Sequence, residues 1–179
     1  MLRSSSFFMA LFINILIIGL WHFLSYIIAS AIGSKHVDYR KFPYRAKEFE
    51  NRGEFYRENF NIDLWYKRLP TDYNRKENTP EALSALDPLV LKERLAVVCR
   101  SELWAIMNCF YIVCAMILDT PYLAFILGTL VILFNLPFIL SARYFRCMIL
   151  NEIVNKRKAL EKQAQLAEQS PNVFDLGLF

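Results

Sequence analysis

The chain has 179 residues, a formal net charge of +4, and 55% hydrophobic residues. That apolar fraction exceeds the roughly 45–50% of soluble domains, and only five glycines are present, which excludes glycine-rich phosphate-binding loops. The basic residues gather beside the apolar blocks, which favours contact with anionic lipid headgroups over nucleic acid. We therefore expect an all-α membrane protein, with residues 1–179 forming a single membrane domain of about three transmembrane helices.

The first predicted element is a transmembrane helix over residues 7–32, a stretch without a charged residue. A spanning helix needs about 20 apolar residues, so this stretch is long enough to cross with some tilt. A cleaved signal peptide is the alternative, because Ala29-Ser30-Ala31 resembles a cleavage site. The apolar region of a signal peptide would be shorter, and the length therefore favours a retained anchor.

A polar segment at residues 35–100 is predicted to lie against the membrane on its cytoplasmic side. Four of its residues have the spacing of one helical face: Phe49, Gly53, Tyr56 and Phe60. Trp65 and Tyr66 stand beside basic residues, a combination typical of the headgroup level. Residues 74–85 are predicted to form a loop.

A helix is predicted to begin at Pro88, with Asp87 as its N-cap. It runs into a second apolar block at residues 103–118, and a turn at residues 119–121 leads to a third block at residues 122–142. The two blocks are therefore expected to form a helical hairpin of two transmembrane helices.

Residues 143–179 are predicted to form a polar helix followed by an irregular tail. Lys and Arg follow the first and third apolar blocks, whereas the hairpin turn has none. Because basic residues favour the cytoplasmic side, we expect a multi-pass protein of the cell membrane. Its middle segment and C-terminus would be cytoplasmic, and its N-terminus would be outside.

Metal chemistry is poorly supported by the sequence. The four cysteines form no CxxC pair, and only two histidines are present, His22 and His36. We expect four free thiols and no metal site. His22 lies inside the first predicted span, where a hydrogen-bonded interior histidine is expected rather than a general base.

Glu102 is the most specific candidate for chemistry, because it lies where the second apolar block begins. A carboxylate entering hydrocarbon is costly and indicates function; an ion-paired charge at a helix end is the alternative. In a hairpin centred near residues 119–120, Glu102 is level with Pro137 and close to Asn135. Pro137 cannot donate a helical hydrogen bond and so frees a backbone carbonyl. We expect Glu102, Asn135 and Arg143 to form a polar cluster just inside the membrane surface, with interhelical packing as the alternative role.

Glu50 and Glu54 form a second candidate pair, because they are one helical turn apart and could share a face. Paired carboxylates suit general acid–base catalysis, and a solvated helix face is the alternative. Gly53 inside a helix would cost about 1 kcal/mol relative to alanine. That cost indicates a close approach by a lipid, a ligand or another helix.

An ordered series of short motifs is similar to a known family. The series is Glu50-x-x-Gly53-x-x-Tyr56, Trp65-x-Lys67-x-Leu69-Pro70, Arg100-x-Glu102-Leu103, Asn135-x-Pro137 and Arg143-Tyr144-Phe145-Arg146. It extends over residues 42–148 and resembles the small membrane glycosyl-4,4′-diaponeurosporenoate acyltransferases of carotenoid synthesis. The chain departs from the family's pattern at Trp104-Ala105, where an HW-like pair is common. It departs again at Ala142-Arg143-Tyr144-Phe145-Arg146, where Gln-Arg-Tyr-Asn-Arg is usual.

The resemblance implies transfer of a fatty acyl chain to a hydroxyl of a glycosylated lipid or carotenoid-like acceptor. Glu102 or Glu50 would then take the proton of that hydroxyl. Substrate binding is expected from five motif residues: Tyr56, Trp65, Arg100, Asn135 and Arg143. Of these, Arg100 and Arg143 would hold an anionic donor headgroup or stabilise the developing oxyanion.

No cofactor is expected, because the acyl donor, such as acyl-CoA or another activated acyl group, is a co-substrate. The expected partners are membrane lipids and a glycolipid or glycosylated isoprenoid acceptor, with no nucleic acid. One alternative function is a non-catalytic small subunit or scaffold that supports another membrane protein. A second alternative is a component of an oligomeric transporter.

Overall fold

The structure, a computed structural model, describes residues 7–32, 41, 44–71, 79–118 and 121–169. Every regular element in these ranges is helical. The α-helices are α1 (Phe7–Ala31), α2 (Glu54–Phe60), α3 (Ile62–Trp65), α4 (Pro80–Ser84), α5 (Pro88–Cys109), α6 (Tyr111–Leu118) and α7 (Pro121–Gln169). Two 3₁₀ helices, Glu48–Gly53 and Tyr66–Arg68, flank α2 and α3.

Three helical stretches are long and apolar enough to span a bilayer: Phe8–Ala31, Pro88–Ile117 and Tyr122–Glu168. The prediction of an all-α membrane protein with three such helices is therefore confirmed. α7 has 49 residues and continues through Pro137 without a break. At 1.5 Å per residue it is about 74 Å long, more than twice the roughly 30 Å hydrocarbon core, so its polar end projects beyond the membrane. The third predicted span and the polar helix after it are one element.

The start of α5 follows from its sequence. The side chain of Asp87 accepts a hydrogen bond from the backbone N–H of Leu89 at 2.7 Å, and Pro88 occupies the first turn. Asp satisfies an amide that the helix leaves unpaired, and proline needs no such partner there. The predicted helix start at Pro88 is confirmed.

α5 packs antiparallel on the middle of α7 through an apolar stripe. Its residues Leu91, Leu95 and Val98 are fully buried and belong to one cluster with α7 residues Ala142, Phe145 and Ile149. The helical spacing of these residues places them on facing sides of the two helices. Glu102 continues the α5 stripe by one turn, so the fold directs its carboxylate towards α7.

Nearer the hairpin turn, α6 and α7 approach more closely. A Cβ atom built on Gly128 would overlap the side chain of Ile112. Ala115 and Ala124 are buried in the same contact. Small residues allow this close approach, as in many membrane helix pairs. The predicted turn residues 119–120 lie outside the described residues, as do the basic residues before Lys41 and the tail 170–179.

Two local predictions are corrected. Residues 80–84, predicted as part of a loop, form α4, because Thr79 caps the Ala82 amide and Pro80 occupies the first turn. Residues 74–78 of the predicted loop lie outside the described residues.

The predicted helical face from Phe49 to Phe60 is interrupted at Gly53, whose φ of 99° is left-handed. Phe49 and Phe60 are consequently 51% and 40% exposed, whereas Tyr56 is buried.

Candidate functional site

A buried charge cluster joins the 3₁₀ helix at Glu48–Gly53 to α5 and α7. Its centre is Arg146, whose Nη1 donates to Glu102 Oε2 at 2.5 Å and whose Nη2 donates to Glu50 Oε1 at 3.3 Å. These three side chains are each about 1% exposed. One guanidinium thus bridges two carboxylates that are far apart in sequence, and we call Glu50, Glu102, Arg143 and Arg146 the charge cluster.

Arg143 completes the charge cluster from the same helix. Its Nε donates to Glu102 Oε1 at 2.9 Å, and its Nη1 lies 3.9 Å from Glu50 Oε1. Two carboxylates and two guanidiniums balance, so that their mutual attraction and hydrogen bonds offset the desolvation penalty of burying the charges. Arg143 differs from the other three members in exposure, because 24% of its side chain remains accessible. Arg143 is therefore the member of the cluster that is most accessible from outside.

Glu50 is held by backbone and side-chain donors besides Arg146. The hydroxyl of Tyr56 donates to Glu50 Oε1 at 2.6 Å, and the backbone N–H of Lys47 donates to Glu50 Oε2 at 2.8 Å. Burial, followed by the hydrogen bond to Glu50, raises the pKa of Tyr56 far above its ordinary value of about 10. Tyr56 therefore remains a neutral hydrogen-bond donor and fixes the Glu50 carboxylate.

Gly53 allows Glu50 to enter the cluster. Its left-handed backbone ends the 3₁₀ helix and starts α2 in a new direction, and an added Cβ would lie 3.2 Å from Tyr144 Cδ2. The close approach predicted at this glycine is therefore that of another helix, α7. The same bend separates Glu50, which is buried, from Glu54, which is exposed. The prediction that these two carboxylates share a helical face is wrong.

Asn135 lies away from the charge cluster. Its Oδ1 accepts from Asn108 Nδ2 at 3.3 Å, and its own Nδ2 donates to the Val131 carbonyl at 2.8 Å. Glu102 precedes Asn108 by six residues, which separates the two by about 9 Å along α5. The predicted approach of Asn135 to Glu102 is not observed.

The hairpin register explains this difference. Ile112 lies against Gly128, close to the predicted pairing, but Glu102 pairs with Arg143 and Arg146 instead of lying level with Pro137. A 3₁₀-type turn at Phe110, whose N–H donates to the Met107 carbonyl, separates α5 from α6. This local change of pitch, together with the reach of two arginine side chains, shifts the pairing away from that of a uniform helix.

The remaining predicted site residues lie near the charge cluster but outside it. Trp65 is partly buried, packs against the apolar cluster of α5 and α7, and donates from its indole to the Phe60 carbonyl at 2.9 Å. Arg100 lies on another side of α5 from Glu102, and its Nε donates weakly to the Ala96 carbonyl at 3.4 Å. All four cysteines are free thiols, and Cys147 Sγ is 3.9 Å from Glu50 Oε2.

Arg146 is the cluster member that was not singled out from the sequence as a site residue. A signal was present, because Arg146 occupies a position between Ala142 and Ile149 on the apolar face of α7. A charged residue at such a position requires a buried partner. Glu102 occupies the corresponding position on the apolar stripe of α5.

The three apolar helices and the buried carboxylate–guanidinium cluster define a small integral membrane protein with a charged site between its second and third spanning helices. The sequence profile of the glycosyl-4,4′-diaponeurosporenoate acyltransferase family matches residues 40–154. That match covers more than half of the chain, so the protein belongs to this family of membrane acyltransferases of carotenoid glycolipid synthesis. No curated protein and no solved structure gives a significant match. All four residues of the charge cluster lie inside the matched range, whereas α1 lies before it.

Proposed function

We propose that the protein transfers a long-chain acyl group to a sugar hydroxyl of a glycosylated carotenoid-like lipid, and that Glu102 and Arg143 carry the reaction. The observation that supports this assignment is the contrast in exposure within the charge cluster. Arg143 is 24% exposed, whereas Glu50, Glu102 and Arg146 are about 1% exposed. A substrate that engages Arg143 would reach the Glu102 oxygen that Arg143 holds.

In the proposed step, the acceptor hydroxyl oxygen attacks the carbonyl carbon of the acyl donor. A new carbon–oxygen ester bond forms, and the bond between the acyl carbon and the donor's leaving group breaks. Glu102 Oε1 takes the hydroxyl proton and passes it to the leaving group, so that no net proton is gained or lost. A positioned carboxylate of this kind contributes about 10²–10⁴-fold to a rate.

The arginines supply the positive charge that the transition state needs. Arg143 would move its Nε hydrogen bond from Glu102 to the carbonyl oxygen as that oxygen becomes negative, which leaves the carboxylate free to act as a base. Arg146 holds the other carboxylate oxygen, and Glu50 and Tyr56 hold Arg146 in place. Donors that are fixed before the reaction stabilise developing charge most effectively.

The acyl donor is proposed to be acyl-CoA or a comparably activated acyl group. Because the carrier group of such a donor is anionic, Arg100 near the end of the second span would favour its binding, and Arg143 remains available to the carbonyl oxygen. The carotenoid-like chain of the acceptor and the acyl chain of the donor are both apolar, and the membrane would hold both of them beside the site.

The test is acyl transfer by the purified protein in nanodiscs, with palmitoyl-CoA and a glycosylated diaponeurosporenoate as substrates and mass spectrometry of the product. Glu102→Gln is expected to reduce the rate at least ~100-fold, because the amide cannot take a proton. Arg143→Lys is also expected to be slow, since lysine keeps the charge but loses the planar donor geometry.

Glu54→Gln is the matched control, because Glu54 is an exposed carboxylate on the neighbouring segment. It is expected to retain the wild-type rate. If Glu102→Gln retained full transfer while remaining folded, Glu102 would not be the base. Absence of transfer by the wild-type protein with any activated acyl donor would contradict the proposed activity as a whole.

We further propose that the protein lies in the cell membrane with residues 35–100 and the C-terminus in the cytoplasm. The support is the excess of Lys and Arg after the first and third apolar blocks. A C-terminal fusion to green fluorescent protein should be fluorescent, and a C-terminal alkaline phosphatase fusion should be inactive. The opposite pair of results would reverse the orientation.

A further inference from the structure

Two adjoining cavities lie along α1, away from the charge cluster. The upper cavity has a volume of about 320 Å³ and is bounded by the end of α1, by Pro70 and Thr71, and by Arg100 and Ser101 of α5. The lower cavity, about 890 Å³, is an open apolar groove between α1 and α7. Its apolar walls include Ile15, Ile18, Phe23, Leu127, Leu130 and Phe134.

Trp104 and Tyr26 line both cavities, so the two spaces adjoin at these side chains. The indole of Trp104 is fixed by its N–H, which donates to the His22 carbonyl at 3.3 Å, and by edge contacts with the rings of His22 and Tyr26. Measured along α1 from Ser30 to Ile15, the combined space is about 22 Å deep. It can therefore take one extended long chain with a polar head at the upper end.

The upper end is chemically suited to an anionic head. Arg100 lines the upper cavity and uses its Nε only for a weak 3.4 Å bond to its own helix. Among the described residues, no carboxylate lines this cavity, whereas Ser30, Thr71 and Ser101 bring hydroxyl groups to it. An anionic group at Arg100 would gain a charge-assisted hydrogen bond, which is stronger than one between neutral groups.

We infer that these two cavities are the binding site of the acyl donor: its anionic carrier rests on Arg100, and its long chain lies in the groove between α1 and α7. This inference rests on the proposed function and adds to it the residues that select the donor. The reactive acyl carbon, between carrier and chain, would lie at the level of Ser101 and Trp104, which is also the level of Glu102 along α5. Glu102 itself faces α7, so the hydroxyl acceptor would approach from the Arg143 side.

Gly19 offers a direct way to block the groove. It lines the lower cavity, and a Cβ atom added to it would have nothing within 4 Å. Gly19→Leu therefore places a branched side chain in the path of the chain, and its Cβ meets no described neighbour. Leu20→Phe is the matched control, because Leu20 is the adjacent residue and is 69% exposed on the outer face of α1.

The experiment measures binding without turnover, using a non-transferable hexadecyl thioether of coenzyme A with a diazirine at the end of its chain. The protein is tested in nanodiscs of neutral lipid, and the photolabelled residues are identified by mass spectrometry. Labelling is expected at the lower end of the groove, around Ile15, Ile18 and Leu127. Gly19→Leu should lower labelling at least 10-fold, while Leu20→Phe should leave it unchanged.

Two further binding measurements show whether the site recognises the anionic carrier and the long chain of the donor. Arg100→Gln should weaken binding of the coenzyme A probe about 10-fold or more and should not affect a neutral hexadecyl glycerol probe. A butyl thioether of coenzyme A should bind Gly19→Leu as well as it binds the wild type. Labelling spread over the outer surface of α1, or equal labelling of wild type and Gly19→Leu, would overturn the inference. A Glu102→Gln variant that is inactive but labelled normally would support the donor site. Labelling therefore tests the donor site, and transfer by Glu102→Gln tests the catalytic role of Glu102, so one proposal can fail without the other.

Discussion

Replacing Arg146 with methionine removes the guanidinium that bridges Glu50 and Glu102. Arg146→Met leaves Glu102 with Arg143, but Glu50 keeps the Tyr56 hydroxyl, the Lys47 amide and two partners at 3.9 Å, an Arg143 nitrogen and the Cys147 thiol. The charge cluster then carries one net negative charge, and the carboxylate that loses its partner, Glu50, has a side chain that is only about 1% exposed. Removing one partner of a buried ion pair costs about 3–5 kcal/mol of unfolding free energy.

That cost is large enough to measure by thermal unfolding in detergent. For a protein of this size, about 1 kcal/mol corresponds to roughly 2–4 °C, so Tm should fall by about 6–20 °C. Adding Glu50→Gln to Arg146→Met removes the uncompensated charge and should restore a substantial part of that loss. The coupling between the two substitutions is expected to be about 0.5–3 kcal/mol.

Arg157→Met is the control, because Arg157 is 73% exposed and pairs with Glu161 on the surface of α7. Such an exposed pair contributes little, about 0–1 kcal/mol. If Arg146→Met were no more destabilising than Arg157→Met, or if Glu50→Gln restored nothing, the reasoning about a buried, balanced cluster would be refuted.

Three further predictions concern two residues beside the charge cluster and one contact in the helical hairpin. Tyr56→Phe removes a hydrogen-bond donor to Glu50 and should lower the free energy of unfolding by about 1–3 kcal/mol. Because the folded-state pKa of Tyr56 is raised, wild-type stability should also fall as pH rises above about 10. A Tm-versus-pH series in which the Tm of Tyr56→Phe falls just as steeply would argue against this. Gly53→Ala should lower Tm by several degrees, because its φ is 99° and its Cβ would lie 3.2 Å from Tyr144, a strain of about 1–2 kcal/mol. Gly19→Ala, inside a helix and with nothing within 4 Å of its Cβ, should not lower Tm. Equal Tm values for the two variants would contradict the strain. Gly128→Ala should destabilise the hairpin, because the added Cβ would overlap the side chain of Ile112. Adding Ile112→Ala to this variant should recover part of the lost stability. If the two losses were additive in the double variant, the two residues would not clash.

The element types were predictable because their signals are local. Residues 7–32 lack charge, Asp87-Pro88 is a helix start, and the apolar blocks around the hairpin are long, so each feature could be inferred from neighbouring residues alone. The short helix α4 also carried local signals, Thr79 and Pro80, which were not combined into a helix prediction.

The site was only partly predictable because its geometry depends on long-range register. Glu50, Glu102 and Arg143 were identified as candidates, but their meeting point depends on the turn at Phe110 and on the left-handed Gly53, neither of which periodicity reveals. The same register error placed Asn135 near Glu102 instead of near Asn108. Arg146 follows a general rule: a charged residue on an apolar helical stripe predicts a partner of opposite charge on the facing stripe.

The rate of acyl transfer by the double variant Glu102→Leu/Arg143→Leu tests the role of the charge cluster most directly. This substitution removes one cation and one anion, so Glu50 and Arg146 remain a balanced pair, and an apolar replacement of a buried pair is often neutral for stability. We predict a Tm close to that of the wild type and a transfer rate at least ~100-fold lower. A folded double variant that transfers acyl groups at the wild-type rate would contradict the assignment of the reaction to this cluster.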